Sequence, residues 1–108
     1  MQKTVLIDKR ADKEIKNFPR LVQLKFQALF EILKQDGRVE EPFGRKLSGR
    51  EELFELRVKQ QGQWRSLYAY HDRSLIIILS AFSKKTQKTP IPELEKAKKR
   101  LVSYKEDI

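Results

Sequence analysis

The sequence has no cysteine, one histidine, one tryptophan and one methionine in 108 residues. Without cysteine there is no disulfide staple, no thiolate nucleophile and no zinc site that needs sulfur. With His71 as the sole imidazole, a ribonuclease mechanism built on two histidines is excluded. A glycine-rich phosphate loop, HExxH and CxxC are also missing. No apolar run approaches the roughly 18 residues that span a bilayer, and the first ten residues lack a signal-peptide apolar stretch with a small-residue cleavage site. The expectation is a soluble, cytoplasmic protein with no membrane partner. The acidic pairs Glu40-Glu41 and Glu51-Glu52 lie in or beside a loop and read as solvated charge. A metal cage needs several convergent oxygens, so neither metal nor cofactor is expected.

What is abundant is positive charge. Lysine and arginine number 24 against 15 acidic residues, a net charge of +9. Such an excess raises the local concentration of polyanions and speeds encounter with them. It serves equally as a solubilising surface or as a match for an acidic protein. The length allows one domain spanning residues 1–108, and hydrophobic residues at 39% suffice for a small core.

Thr4, Val5, Leu6 and Ile7 form a short β-prone run. Ala11, Ile15 and Phe18 follow helical spacing up to Pro19, and Val22, Phe26, Leu29 and Leu33 make a second helical stripe that Asp36-Gly37 ends. Residues 38–52, with Pro42, Gly44 and Gly49, read as a connecting loop. The period then becomes two: Phe54, Leu56 and Val58 alternate with Glu55, Arg57 and Lys59, and Gln61-Gly62 turns into a strand from Trp64. In that second strand both faces carry bulk. After a turn at His71, where a surface role is the plain reading, the run from Leu75 to Leu79 suits a strand covered on both faces. Pro90 and Pro92 introduce a last helix with Leu94, Ala97, Leu101 and Tyr104 as its buried stripe. The predicted class is α+β in the order β-α-α-β-β-β-α: a small antiparallel sheet, an N-terminal helical hairpin and a C-terminal helix, with the helices on one side of the sheet.

Cations concentrate in the sheet half. Arg57 and Arg65 fall on consecutive strands joined by a tight turn, close enough for both guanidinium groups to approach one phosphate. Pairing of Arg57 with Glu55, or of Lys59 with another carboxylate, explains the same spacing as ordinary solvated strand residues. Lys84, Lys85 and Lys88 follow the apolar strand, and residues 84–105 hold eight basic residues against Glu93 and Glu95. A basic run is often the outer face of a helix.

The stretches KLSGREELFELRVKQQGQWRSLYAY (46–70) and IIILSAFSKKTQKTP (76–90), followed by a basic helix, closely resemble the phage-derived Gp49-like and HigB-like toxins of the RelE/ParE superfamily. The resemblance rests on Lys46-Leu47, Glu55-Leu56-Arg57, Trp64-Arg65 and the run from Ala81 to Pro90, taken together and in this order. It implies a RelE-like microbial RNase fold. It further implies the toxin of a type II toxin–antitoxin pair, an mRNA interferase that cuts mRNA on the ribosome unless a helix-turn-helix antitoxin holds it inactive. The family's catalytic role carries over to Arg57, Arg65, Lys84 and Lys85, and contact with the RNA is expected of Lys46, Lys59, Tyr68, Phe82 and Lys88. The aromatic general base that some RelE toxins place near the start of the last helix has no match, since residues 89–94 contain neither Tyr nor His.

Metal-free RNA cleavage requires in-line attack of a ribose 2′-OH on the adjacent phosphate. The site must supply a proton acceptor, stabilisation of the phosphorane and a donor to the 5′-O leaving group. Arginine serves the second, because its guanidinium stays protonated. Lys84 or Lys85, crowded by cations, is the candidate for proton transfer. Tyr68 or Phe82 offers a surface for stacking a base, unless both are simply core. Two other classes remain open at this point: a ParE-like DNA gyrase poison, since fold does not fix function, and a non-catalytic basic module binding RNA or protein. Remaining positive charge serves attachment to ribosomal RNA.

Overall fold

A computed structural model describes residues 2–49, 52–85 and 88–106; Arg50, Glu51, Thr86 and Gln87, which belong to the stretches above, lie outside the described residues. The chain order is β1 (Thr4–Ile7), α1 (Lys9–Lys16), α2 (Arg20–Asp36), β2 (Gly44–Lys46), β3 (Phe54–Lys59), β4 (Gln63–Tyr70), β5 (Leu75–Lys84) and α3 (Ile91–Glu106). They build a five-stranded sheet in the order β1-β5-β4-β3-β2. All neighbours are antiparallel except β1, which runs parallel to β5 from Thr4↔Leu75 to Ile7↔Ile78.

Three sequence expectations are corrected here. The loop at 38–52 contains the short strand β2, paired to β3 from Gly44↔Leu56 to Lys46↔Phe54; three residues, two of them charged, carry too little alternation to be seen. The sheet is not wholly antiparallel, because β5, reached only after the chain has passed through α1, α2 and the β2-β3-β4 meander, runs parallel to β1 at the sheet's edge. The helices do not share one side. Ala11, Ile15, Val22, Phe26, Leu29 and Leu33 from α1 and α2 pack with Leu56, Val58, Tyr68, Ile76 and Ile78 on one face. Ala97 and Leu101 of α3 pack with Leu67, Ala69, Ile77 and Leu79 on the other. A helix on each face explains why β4 and β5 are apolar on both.

Local chemistry sets the element ends. Asp8 caps α1 by accepting the Arg10 backbone N–H, and Pro19 precedes α2 with an extended backbone. Gly37 closes α2 at φ 81, its N–H donating to the Leu33 carbonyl at 2.9 Å. Pro90 opens α3, its carbonyl accepting from the N–H groups of Glu93 and Leu94. Among the described residues, no helix is long and apolar enough to cross a membrane.

A register shift at Leu67/Tyr68 places one extra residue in β5, since Leu67 pairs with Ser80 but Tyr68 with Ile78. Leu79 is the extra residue. A bulge leaves backbone groups without ladder partners, and here two helices provide them. Arg100 of α3 donates to the Leu79 carbonyl at 2.8 Å, and Glu14 of α1 accepts the Ala81 N–H at 3.1 Å. Glu14 and Arg100 also hold each other through hydrogen bonds of 3.0 and 3.1 Å. Asp8, nearby in β1–α1, accepts from Tyr104 at 2.7 Å and from Arg10.

These carboxylates link stability to acid. Burial opposes their charge, but the hydrogen bonds from Arg10 and Tyr104 to Asp8, and from Arg100 and the Ala81 N–H to Glu14, outweigh it and lower both pKa values. A lowered folded-state pKa contributes stability that is complete above the unfolded value and is lost as pH falls through the folded one. Urea melts should therefore show stability steady near neutrality and declining below the ordinary carboxylate values of 3.8 and 4.5. An Asp8→Asn, Glu14→Gln double variant should lose most of that slope; an unchanged slope would place the acid sensitivity elsewhere.

Candidate functional site

Glu55 lies in the middle of β3 and is completely buried. Strand alternation puts it on the α3 face, across from Arg45 on β2 and Leu67 on β4. Arg57 follows two residues on and pairs directly with Arg65, so all three arginines point to the same face. The Nε atoms of Arg45, Arg57 and Arg65 stand 3.6, 3.7 and 3.6 Å from one oxygen, Glu55 Oε1. The second oxygen, Oε2, accepts from the Thr89 hydroxyl at 2.7 Å, tying the lead-in of α3 to the sheet. A buried carboxylate needs both charge and hydrogen-bond partners to be tolerable. The cluster meets the first need fully and the second in part: Glu55 Oε1 and the facing Arg65 Nε are both buried without a hydrogen bond.

The bulge brings Lys84 into this cluster. Before it, Ile77 and Leu79 face α3; after it, Phe82 does, and Lys84, opposite Gln63, follows Phe82 at strand spacing. A one-residue change of register exchanges the faces of everything beyond it, so an unbulged β5 would have offered Ser83 and Lys85 instead. Lys84 is buried, whereas Lys85 is exposed past the end of β5. Burial is the main cause that lowers the Lys84 pKa; Glu55 opposes it, and Arg65, Arg45 and Arg57 reinforce it. Desolvation thus outranks the crowding by cations that the sequence suggested. Arg65 is pushed the same way for the same reason, with Glu55 again opposing.

Arg65 is buried and spoken for: it donates to the Trp64 carbonyl at 3.0 Å and to Gln63 Oε1 at 2.6 Å. Arg57 is more open, with its side chain 31% exposed. Together Arg57, Lys59, Gln63, Arg65, Pro42 and Phe43 line a cleft of about 500 Å3. A second cleft, of about 570 Å3, runs past Arg45, Lys88 and Thr89.

Of the residues singled out from sequence, Arg57 and Arg65 therefore come together around Glu55, Lys84 lies on the same face of the sheet within reach of that charge, and exposed Lys59 lines the adjoining cleft. Lys46 and Lys88 are exposed, with Lys88 on the second cleft. Tyr68 and Phe82 do not offer stacking surfaces. Tyr68 is 1% exposed on the α1/α2 face, stacked on Phe54 at 5.4 Å and edge-on to Tyr70; Phe82 is buried with α3. His71 stands at the β4–β5 turn, the opposite end of the hairpin from Lys84. From the sequence Glu55 is a motif residue and a solvated partner of Arg57, and neither Arg45 nor the hydroxyl of Thr89 stands out as its neighbour. The available signal was a carboxylate one step out of phase with three apolar residues in a strand flanked by arginines.

Residues 13–102 match the family described as phage-derived protein Gp49-like. No curated protein sequence matches the chain. Among solved structures, a double-arginine mutant of the E. coli toxin RelE in the free state is similar at a TM-score of 0.66 and 17% identity, covering 96% of this chain and 98% of that one. The intact E. coli RelBE toxin–antitoxin complex matches at 0.60 and 22% identity, over 80% and 100% of the two chains. The archaeal RelE–RelB complex from Pyrococcus horikoshii matches at 0.58 and 27% identity, over 77% and 96%. The α+β arrangement of helices on both faces of a five-stranded sheet is thus the fold of RelE toxins, and the chain belongs to the phage-derived Gp49-like family.

Proposed function

We propose that residues 1–108 act as a single toxin domain of a toxin–antitoxin pair, a ribosome-dependent mRNA endoribonuclease working in the cytoplasm. The observation that carries this reading is the convergence of Arg45, Arg57 and Arg65 on one buried carboxylate, with Lys84 buried on the same face of the sheet, beside an open cleft. Such a cation array, fixed in advance and partly shielded from water, suits the charge that develops on a phosphorane.

In the proposed reaction the scissile phosphate enters the cleft at Arg57, with Arg65 at its inner wall. The 2′-OH attacks the adjacent phosphorus, the P–O5′ bond breaks, and the products are a 2′,3′-cyclic phosphate and a 5′-hydroxyl. The proton leaves the 2′-OH and a proton is delivered to the 5′-oxygen. Lys84 is the group assigned to that transfer, because desolvation favours its neutral form. Glu55 keeps the cations in register while the cleft is empty. A site with so few acid–base groups gains from having its substrate oriented by the ribosome. An antitoxin is the proposed protein partner, as in the RelBE complexes that share the fold.

The deciding experiment is induction in a bacterial host with mapping of mRNA 5′ ends. Codon-associated cuts on translated messages are expected. Trapped gyrase–DNA cleavage complexes would replace this reading with a gyrase poison, and unimpaired growth with a non-catalytic module.

A further inference from the structure

Both aromatic residues expected to stack a base are buried, yet the cleft has an aromatic wall. Phe43 is 57% exposed, more than any other phenylalanine or tyrosine described, and it lines the cleft with Arg57 and Arg65. The backbone that carries this ring is held firmly. The Phe43 carbonyl accepts the Arg57 N–H at 2.8 Å, and the N–H groups of Phe43 and Gly44 both donate to the Glu40 carbonyl at 3.1 Å. The loop can fold this tightly because residue 44 is glycine: a Cβ there would stand 2.6 Å from the Val39 carbonyl oxygen. Phe43 and Arg57 thus leave neighbouring backbones, about 4.7–4.9 Å apart as in any strand pair. An exposed ring on a fixed backbone next to a guanidinium is the pairing that single-stranded RNA meets when a base stacks and its phosphate is held.

We infer that Phe43 is a stacking platform for the nucleobase adjoining the scissile phosphate, an inference that rests on the ribonuclease reading above. The far edge of the ring borders an apolar groove with Leu29 and Ile32 of α2, a place where a protein partner could seat instead. The base is favoured because Gln63 and Arg65 join Arg57 and Lys59 around the ring in the cleft, whereas the groove, which also takes in Lys25, Arg57 and Lys59, is otherwise lined by the apolar side chains of Ala28, Leu29, Ile32 and Val58.

The test is a reconstituted translation system with 5′-end mapping, comparing wild type, Phe43→Leu and Phe43→Trp. The exposed position predicts that both variants melt as the wild type does. Phe43→Leu should cut about tenfold to a hundredfold more slowly, and Phe43→Trp should cut at the wild-type rate. Phe43→Leu cutting at wild-type rates would overturn the inference and leave the ring to a protein in the apolar groove. Equal slowing in both variants would also overturn it, since fit rather than stacking would then be at work. Absence of cuts by the wild type would instead overturn the ribonuclease reading itself, a result that neither variant can imitate.

Discussion

Glu55→Gln is expected to remove about 3–5 kcal/mol of stability, the usual cost of deleting one partner from a buried charge cluster. Glutamine keeps the shape and can still accept the Thr89 hydroxyl hydrogen bond. What disappears is the negative charge. Arg45 and Arg57 are open enough to turn toward water and add little, but Arg65 and Lys84 are buried and would face each other uncompensated. Against a typical domain stability of about 5–15 kcal/mol, the loss should appear as a fall in Tm on the order of 15–30 °C. Inorganic phosphate supplies the diagnostic. If cations that now face Glu55 are those that bind a phosphate, phosphate should raise the Tm of Glu55→Gln more than that of the wild type, by binding the folded form selectively. A variant as stable as the wild type, or an equal phosphate effect on both, would show that Glu55 does not hold the array together.

Arg57→Ala should leave the fold nearly intact and lower mRNA cleavage about 100- to 1000-fold, the effect of removing one donor from a transition-state anion site. The Arg57 side chain is partly exposed and its ion pair is long, at 3.7 Å, so stability should change by less than about 1 kcal/mol. Its backbone bond to Phe43 survives the substitution. Arg57→Lys should fall between, because lysine keeps the charge but not the planar fork. Cleavage by Arg57→Ala within tenfold of the wild type, measured in the reconstituted system, would move the phosphate elsewhere. Arg65 is the poorer probe. It is buried and bonded to Trp64 and Gln63, so its alanine variant would confuse a loss of folding with a loss of chemistry.

How far the sequence could be read follows from how local each feature is. Alternation in β3 placed Glu55 and Arg57 opposite Leu56 and Val58, and the Gln61-Gly62 turn set Arg57 against Arg65, because hairpin register depends on a few adjacent residues. Gly37 declared the end of α2 for an equally local reason. Lys84 could not be separated from Lys85 in the same way. The choice depends on a bulge whose backbone groups are satisfied by Glu14 and Arg100, residues remote in sequence. Burial of Tyr68 was hidden because β4 carries bulky residues on both faces and only the packed helices show that both are interior. The role of Glu55 was obscured likewise: a glutamate beside an arginine usually marks solvent, and its two other guanidinium neighbours come from separate strands.

The bulge at Leu79 also makes the parity of β5 part of its chemistry. Any side chain along the strand can drift to one of similar size and leave Lys84 where it is. Adding or removing one residue between Leu75 and Ser83 would instead exchange inward and outward positions, taking Lys84 from the arginines while leaving composition almost unaltered. A change of length in the turn before Leu75 or beyond Lys84 leaves that parity untouched, whereas one inside the strand would take from the face of Glu55 the one lysine the bulge delivers to it.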